Sequence, residues 1–313
     1  MTPRPSTAPR VSVIVPTWNA GDVLGPCLDS VLAQQVPGGF ETIVVDNAST
    51  DGTADLLREY ADRARVVTNE RNLRFAGANN QAAADAAGRV LVFLNSDTEL
   101  LGTDTLARLA DAAEPRDVAI AGPLLVNPDG SLQPSCAAHP SILRAALVAT
   151  GAHRLLPDAT RARLAPERWS HAHARDTAWV MGAAMAMRAE VFRELGGFWP
   201  TMYAEEQDIA FRARNRGFRV RFDPSARVMH VGNHSLRKRW SDPERSARVA
   251  AAELVLLATH YPRWRAAAIR AIAGAGLAAR SLAHRLLGHR ERAREFRAMT
   301  RVYAGRSKPH GLD

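Results

Sequence analysis

The first 120 residues alternate between short apolar, β-branched runs and longer stretches with helical spacing. The runs VSVIVP (residues 11–16) and RVLVFL (residues 89–94) are dominated by apolar residues, which is typical of strands buried in a parallel sheet. In segment 21–35, apolar residues recur three and four positions apart, as on one face of a helix. The same criteria predict strands at 41–45, 65–68 and 118–121 and helices at 53–64, 76–87 and 104–113. This alternation predicts a doubly wound α/β sheet that binds ligands at the carboxyl ends of its strands.

The second half of the chain is less regular. Segment 131–178 has weak periodicity and several prolines, so we expect it to wander over one rim of the sheet. The pattern then predicts a strand at 177–187, helices at 189–195 and 209–215, and a strand at 219–222. From residue 242 onward the spacing is mostly helical.

The positive charge of the chain is concentrated at its C-terminal end. Residues 261–313 contain twelve Arg or Lys against three Asp or Glu, which accounts for the whole net charge of +9. Residues 1–260 are therefore close to neutral, and this excludes a basic nucleic-acid-binding body. We predict a basic helical tail at 241–313.

Two interpretations of this tail stay open. Its apolar patches are interleaved with arginines, and a basic amphipathic helix of this kind can lie on an anionic membrane surface. Alternatively, the helices pack on the rest of the chain with a solvated arginine face. No stretch of 18 uncharged apolar residues occurs, so we expect no segment to span a bilayer.

The cysteine count and the first residues bear on the compartment. Two cysteines, Cys27 and Cys136, are too few for a disulfide framework and lack a metal-binding spacing, which favours a reducing cytoplasm. Residues 1–10 are polar and proline-rich, without the apolar core of a signal peptide, and we expect a disordered lead-in.

Polar residues follow the first two predicted strands. Asp46 ends the second strand, and Thr17, Trp18 and Asn19 leave the first strand at the same rim. A carboxylate there can accept hydrogen bonds from a ribose hydroxyl or a base N–H, and the Trp18 ring can stack on a base. The alternative is that Asp46 only begins a turn.

A second polar group ends the strongest strand. Asn95-Ser96-Asp97 follows the run at 89–94, and Asp97 is predicted to enter the same cleft as Asp46. One carboxylate with water and two phosphate oxygens suits Mg²⁺ or Mn²⁺. His230 is a candidate further ligand, or else an ordinary surface histidine. His234 is at most a loop or phosphate contact, and Asn95-x-Asp97 is also compatible with a helix cap.

A third polar group is the acidic run Glu205-Glu206-Gln207-Asp208 before a predicted helix. Adjacent carboxylates in a partly closed cleft raise each other's pKa, which suits a general base. The alternative is structural, because acidic residues are favoured in the first turn of a helix.

Taken together and in order, seven segments resemble the family-2 glycosyltransferases with the GT-A fold, particularly the rhamnosyltransferase-like branch that builds bacterial cell-surface polysaccharides. The resemblance runs from Val11 to about Arg239. It rests on VSVIVPTWN, IVVDNASTDGT, NLRFAGANN, VLVFLNSDTEL, WVMGAAMAMR with VFRELGGF, YAEEQDIAFRARNRGF and ARVMHVGNHS. The fold that it implies is a Rossmann-like, doubly wound mixed sheet flanked by helices, with additional C-terminal helices.

The resemblance also implies roles for individual residues. The nucleotide-sugar donor would be held by Pro16, Thr17, Asn19, Asp46, Asn80 and Asn95. The metal, Mg²⁺ or Mn²⁺, would be bound by Asp97 and His230, with Asn95 in the first position of the DxD-type motif. Glu206 would be the catalytic base, and Glu205 is the second candidate because this chain has Glu-Glu where the family has Glu-Asp. Trp179, Gly182, Ala183 and Asp208 would line the acceptor side.

The implied division is a nucleotide-sugar-binding half at 11–122 and an acceptor-binding and catalytic half at 123–240. The implied reaction is an inverting transfer from a dTDP-rhamnose or UDP-hexose donor to a hydroxyl of a glycan or lipid-linked acceptor, in the cytoplasm or peripherally on the inner membrane face. A sugar-phosphate nucleotidyltransferase is disfavoured, because residues 17–25 (TWNAGDVLG) lack the basic glycine-rich loop of that class. A non-catalytic nucleotide-sugar binder remains an alternative.

Overall fold

The structure, a computed structural model, describes residues 8–199, 204–232 and 241–306, which fall into two compact units. The sheet unit comprises Met1–Ala137, His171–Pro200 and Glu205–Ser235. The helical unit comprises Ala138–Ser170, Thr201–Ala204 and Leu236–Asp313.

Every strand and helix predicted before residue 122 is present, and a short strand, β5, is additional. The elements are β1 (Val11–Thr17), α1 (Leu24–Leu32), β2 (Phe40–Asp46), α2 (Thr53–Arg58), β3 (Arg65–Thr68), α3 (Arg74–Ala84), β4 (Val90–Leu94), β5 (Thr98–Leu100), α4 (Thr105–Ala113) and β6 (Val118–Val126).

The remaining elements are more broken than the sequence pattern predicts. They are β7 (Leu132–Gln133), β8 (Cys136–Ala137), α5 (Ile142–Thr150), α6 (Asp158–Leu164), β9 (Arg175–Thr177), β10 (Trp179–Val180), β11 (Ala184–Arg188), α7 (Ala189–Glu194), α8 (Glu205–Asn215), β12 (Arg219–His230), α9 (Asp242–His260), α10 (Arg263–Leu286) and α11 (Arg290–Tyr303), with short 3₁₀ helices at Ala152–Leu155 and Pro166–Arg168.

Two predictions for the second half were wrong. The single strand predicted at 177–187 is interrupted, because β10 pairs with β8 in a separate two-stranded sheet whereas β11 joins the main sheet. Segment 131–178 also contains two helices, α5 and α6, which its weak periodicity concealed.

The main sheet is mixed and doubly wound, as predicted. Its strand order is β3-β2-β1-β4-β11-β6-β12-β5, with β7 and β9 added on β6 and β12. Strands β3, β2, β1 and β4 run parallel, and β11 is antiparallel to its neighbours β4 and β6. The carboxyl ends of β1, β2 and β4 therefore share one edge with the beginning of β11.

The alternation along β1 builds a core on each side of this sheet. Val13 and Val15 pack with Leu28 of α1 on one side, and all three side chains are fully buried. Ile14 points to the other side, where it shares a buried cluster with Phe93 and Phe192. Both faces of β1 are apolar because both are covered by helices.

The structure describes residues 8–10 of the predicted lead-in. Met1–Thr7 lie outside the described residues. Arg10, which the sequence assigned to the lead-in, is instead held in place: its side chain pairs with Asp111 and, at 2.9 Å, with Glu114.

The predicted boundary between residues 122 and 123 falls inside β6, because both predicted halves contribute strands to one sheet.

The helical unit is built by α5, α6, α9, α10 and α11. A β-carbon added at Gly276 of α10 would lie 2.6 Å from the Ala149 Cβ of α5, so the missing side chain permits close packing of these helices. Within the part of the chain that the structure describes, α10 is the one helix with the length and mean hydropathy (1.2 in its most apolar window) of a membrane span. Arg270 and Arg280 interrupt its apolar sequence.

Candidate active site

The donor side of the candidate site is the edge where β1 and β2 end. Thr17 and Asp46 are paired in register there, and each side chain is 2% exposed. The Oδ1 atom of Asp46 accepts a hydrogen bond of 3.1 Å from the Ser49 backbone N–H. The Thr17 hydroxyl is buried without a hydrogen-bond partner among the described residues, which is unusual for a protein interior and is typical of a ligand-binding position.

Asn19 joins the two loops that leave this edge. Its backbone N–H donates to Ser49 Oγ at 2.9 Å, and its side-chain Oδ1 accepts from the Thr50 N–H at 2.8 Å. Its φ of +49° is left-handed, which asparagine tolerates better than most residues. Pro16, one register step before Thr17, is partly exposed. These contacts fix the predicted nucleoside loop before any ligand binds.

Asn95, Asp97 and His230 meet at the end of β4. His230 Nε2 lies 3.3 Å from Asp97 Oδ1 and 3.4 Å from Asn95 Nδ2, and the side chains of Asp97 and His230 are 9% and 11% exposed. Two ligands of one octahedral cation, each about 2.1 Å from it, are separated by about 3 Å. The spacing of these two atoms therefore fits a shared divalent cation.

Gln133 of β7 determines which nitrogen of His230 faces Asp97. The Gln133 amide nitrogen donates to Asn127 Oδ1 at 2.9 Å and to the His230 carbonyl at 3.2 Å, so its oxygen is the atom 2.7 Å from His230 Nδ1. Nδ1 therefore carries a proton, and in the neutral ring Nε2 presents its lone pair to Asp97. Such a partner orients a metal-binding imidazole. Sequence reasoning missed Gln133, because 97 residues separate it from His230.

The described residues contain no cluster of three or more His, Cys, Asp or Glu side chains suited to a metal. Asp97 and His230 together supply two ligands. A divalent cation held there would need oxygen atoms from water or from a diphosphate, the arrangement that the sequence predicts.

Glu206 lies against the loop between β10 and β11. A β-carbon added at Gly182 would be 3.6 Å from the Glu206 carboxyl group. The surrounding protein removes water from Glu206, and this desolvation raises the pKa of its carboxyl to about 7. A carboxyl with this pKa is suited to accept a proton near neutral pH.

One hydrogen bond connects the two sides of the site. The Asn95 backbone N–H donates to the Ala183 carbonyl at 2.9 Å. Ala183 follows Gly182 directly, so the Asn95–Asp97 turn and the loop beside Glu206 are joined next to the β4–β11 ladder.

The other two predicted acids are buried at the start of α8. Glu205 is 5% and Asp208 is 2% exposed. Asp208 Oδ2 accepts from Arg212 Nε at 2.7 Å, and Arg212 also donates to the Leu195 and Gly197 carbonyls, in the latter case at 2.8 Å. Asp208 thus anchors α8 to the chain that precedes it, and its predicted contact with the acceptor stays a prediction.

Asn80 contacts the same preceding chain. Its amide forms two hydrogen bonds with the Phe198 backbone, one to the carbonyl at 2.8 Å and one from the N–H at 2.9 Å. The Phe198 ring packs on Phe93 and Phe192, with centroids 4.9 and 5.2 Å away. Both the nitrogen and the oxygen of the Asn80 side-chain amide are used in these bonds, and its predicted role in binding the nucleotide-sugar donor also stays a prediction.

Trp179 is 9% exposed in β10, three residues before Gly182. Its predicted role on the acceptor side stays a prediction. His234 and Tyr203, which the sequence placed near the site, lie outside the described residues.

A family model, "Glycosyl transferase family 2", matches residues 12–196, which is more than half of the chain. This chain belongs to glycosyl transferase family 2. The matched region contains the donor edge, the turn with Asp97 and the Gly182 loop. Glu206 and His230 lie beyond it.

The glycosyltransferase is similar to two curated bacterial proteins. It is 30% identical over 250 residues to the N-acetylglucosaminyl-diphospho-decaprenol L-rhamnosyltransferase of Mycobacterium tuberculosis, covering 71% of this chain and 76% of that protein. It is 30% identical over 236 residues to the O-antigen biosynthesis protein RfbC of Myxococcus xanthus, covering 73% of this chain but 18% of that protein. The chain spans about a quarter or less of the length of two of the curated relatives that it matches.

The fold is also that of solved glycosyltransferases. The mannosyltransferase PcManGT from Pyrobaculum calidifontis, determined in complex with GDP-Man and Mn²⁺, has a TM-score of 0.59 and 21% sequence identity, covering 97% of this chain and 89% of that chain. The GT-A fold implied by the sequence resemblance is confirmed.

Proposed function

We propose that this glycosyltransferase moves a sugar, with inversion, from a nucleotide-diphosphate donor to a hydroxyl of a lipid-linked glycan acceptor in cell-surface polysaccharide synthesis. The observation that supports the proposal is that the Glu206 carboxyl, with its pKa of about 7, lies against Gly182, next to Ala183, whose carbonyl accepts from the backbone N–H of Asn95 in the turn that carries Asp97.

In the proposed reaction Glu206 takes the proton of the acceptor hydroxyl. The acceptor oxygen forms a bond to the anomeric carbon while the bond from that carbon to the diphosphate breaks on the opposite side. Asp46 and Thr17 hold the nucleoside, and Asn19 keeps their loops together. Asp97 and His230 would hold a divalent cation, which would supply positive charge for the leaving diphosphate.

For the donor we favour dTDP-rhamnose, with UDP-hexoses as the second choice, and for the acceptor a glycosyl-diphospho-polyprenol. The support is the 30% identity to a rhamnosyltransferase whose name gives such an acceptor. We further propose a cytoplasmic location at the inner face of the membrane, where such an acceptor is exposed.

The test is nucleoside diphosphate release from dTDP-rhamnose and UDP-hexoses with Mn²⁺, with and without N-acetylglucosaminyl-diphospho-polyprenol. Acceptor-dependent release is expected, and it should disappear in chelator and in Asp97→Ala without loss of folding. Tight donor binding with no release would instead identify a non-catalytic binder. Release of pyrophosphate from a nucleoside triphosphate and a sugar phosphate would identify a nucleotidyltransferase. Either result would overturn the proposal.

The buried Thr17 hydroxyl gives a separate test of the donor side. Thr17→Val keeps the shape of the side chain and removes one hydrogen-bonding group, so affinity for dTDP or UDP should fall about fivefold while stability is unchanged. Thr42→Val is the matched control, because the Thr42 hydroxyl is also buried and unpaired among the described residues but lies in the middle of β2. Equal effects of the two changes, measured by calorimetry, would contradict the donor site.

A further inference from the structure

Helix α10 exposes large apolar side chains along one face. Trp264, Leu282 and Leu286 are 69%, 57% and 78% exposed. At about 100° per residue, these three positions fall within about 40° of one another around the helix axis. They are therefore on one line, at the two ends of a 24-residue helix.

Between these two ends, the same face of α10 carries small residues. Four exposed alanines lie within about 60° of this line: Ala267, Ala271, Ala275 and Ala278. We call the seven residues the apolar stripe. From Trp264 to Leu282 the stripe contains no charged residue, and Arg285 lies at its edge near the end of the helix; an uncharged face of this length is an unusual surface for a helix that faces water.

The apolar stripe also borders a groove. A groove of about 970 Å³ lies between α9, α10 and α11, and the four alanines form part of its wall together with Leu254 of α9. Arg263 and Arg270 stand in the same wall. The groove is lined mainly by apolar side chains, which suit lipid acyl chains. The guanidinium groups beside them suit anionic headgroups.

Positive charge surrounds the apolar stripe. Helices α10 and α11 together carry ten arginines and two glutamates. Arg263 and Arg285 are exposed, and each lies within about 100° of the centre of the stripe, where a long side chain can reach a headgroup while its stem stays apolar.

The opposite side of α10 packs inside the helical unit. Ile269 and Gly276 are buried there, and Gly276 is in close contact with α5. The helix cannot cross a bilayer without losing this packing and burying Arg270 and Arg280 in hydrocarbon. It can lie in the plane of the interface without either change.

We propose that the apolar stripe of α10 binds an anionic membrane surface, with Trp264, Leu282 and Leu286 inserted among the lipids and the flanking arginines on their headgroups. This surface is distinct from the transfer site, and its binding does not require turnover.

The experiment is co-sedimentation of the full chain with phosphatidylcholine vesicles, with and without phosphatidylglycerol. The test variant is Trp264→Ser/Leu282→Ser/Leu286→Ser. The matched control is Leu143→Ser/Leu155→Ser, which removes leucines of the same unit that are 56% and 87% exposed but lie outside the stripe. Arg263→Gln/Arg285→Gln tests the charge.

We expect binding to the anionic vesicles alone. Affinity should fall at least tenfold in the triple variant and roughly fivefold for each arginine removed, and the leucine control should bind like the unchanged chain. Three results would overturn the proposal: unchanged binding of the triple variant, equal binding to neutral vesicles, or a dimer that the triple variant converts to monomers without any vesicle binding. Extraction by carbonate distinguishes surface binding from a span.

We expect different variants to abolish vesicle binding and sugar transfer. Asp97→Ala should abolish transfer and leave vesicle binding intact, whereas the triple variant should retain transfer to a short-chain soluble acceptor. Loss of both activities in one variant, together with an altered circular dichroism spectrum, would point to misfolding, and the arginine variant then decides the proposal.

Discussion

At the scale of single residues, the site depends on side chains whose surroundings determine their chemistry. Glu206 has an ordinary carboxyl group, and desolvation beside the Gly182 loop gives it a pKa near 7. His230 has an ordinary imidazole, and Gln133 determines which nitrogen faces Asp97.

Glu206→Gln should lower the rate of sugar transfer. Loss of the base should lower kcat about 10²–10⁴-fold. In the unchanged enzyme kcat should decrease about tenfold per pH unit below 7, because the protonated carboxyl cannot accept the acceptor's proton.

The same variant should be more stable at high pH. The pKa of Glu206 is raised on folding, from 4.5 to about 7. The folded state is thus favoured by this group below pH 4.5 and loses that advantage as pH rises through 7. Glu206→Gln should therefore gain about 1–3 kcal/mol at pH 8 and nothing at pH 4, measured by thermal unfolding. Equal shifts at both pH values would contradict the raised pKa.

Gln133→Leu should weaken the metal site without touching a metal ligand. Loss of the acceptor for Nδ1–H leaves the His230 ring free to rotate and change tautomer, so Mn²⁺ affinity should fall about 10–100-fold. Electron paramagnetic resonance titration measures this directly. Gln133→Glu retains an acceptor and should bind Mn²⁺ more tightly than Gln133→Leu. The reverse order would refute the role of Gln133.

Sequence reasoning identified residues whose chemistry is visible in their own segment. Asp46 and Asp97 follow strands, and their positions at one edge follow from the parallel order of β1, β2 and β4. Glu206 was identified from the acidic run that begins α8. Gln133 belongs to a two-residue strand and resembles any surface glutamine in the sequence. The two hydrogen bonds of the Asn80 side-chain amide likewise follow from tertiary contacts alone.

At the scale of elements, α8 is held where it must present Glu206. Its start follows Ala204, whose φ of +69° is left-handed and costs a non-glycine residue about 1–2 kcal/mol. Asp208 and Arg212, one turn apart, connect the helix to the Leu195–Gly197 backbone. The sequence predicted a helix from residue 209, because the first turn is acidic rather than apolar.

Two aspartates allow a direct test of this anchor. Asp208–Arg212 and Asp104–Arg108 are both i,i+4 pairs, but the Asp208 side chain is 3% exposed and the Asp104 side chain 55%. Asp208→Ala should cost about 2–4 kcal/mol, because it removes the buried carboxylate that balances the charge of Arg212. Asp104→Ala should leave the melting temperature unchanged. Similar melting temperatures for the two variants would refute the anchor.

At the scale of the whole molecule, the chain combines a sheet unit with a separately packed helical unit. The alternation of strands and helices before residue 122 was predictable because buried parallel strands have a strong apolar signal. The division of the chain was less predictable, because the helical unit takes residues 138–170 from the middle of the sequence and joins them to the C-terminal helices.

The contact between α5 and α10 should govern the stability of the helical unit. Gly276→Ala places a methyl group 2.6 Å from Ala149 and should destabilise the unit by about 1–3 kcal/mol despite the better helix propensity of alanine. Gly274→Ala, whose new atom would be 3.3 Å from Tyr303, should cost less. Donor affinity should stay unchanged in both variants. A melting temperature for Gly276→Ala at or above that of Gly274→Ala would contradict the close packing.

The hydrogen bond from Asn95 to Ala183 has a consequence for how such proteins diversify. In the proposed site, the turn that would hold the cation and the Gly182 loop beside Glu206 are attached to adjacent strands, so their separation is set by the backbone ladder. Mutations in the surrounding loops can then alter which alcohol is accepted while the spacing between these two walls of the proposed site is preserved. A scaffold of this kind can acquire new substrates without re-evolving its chemistry.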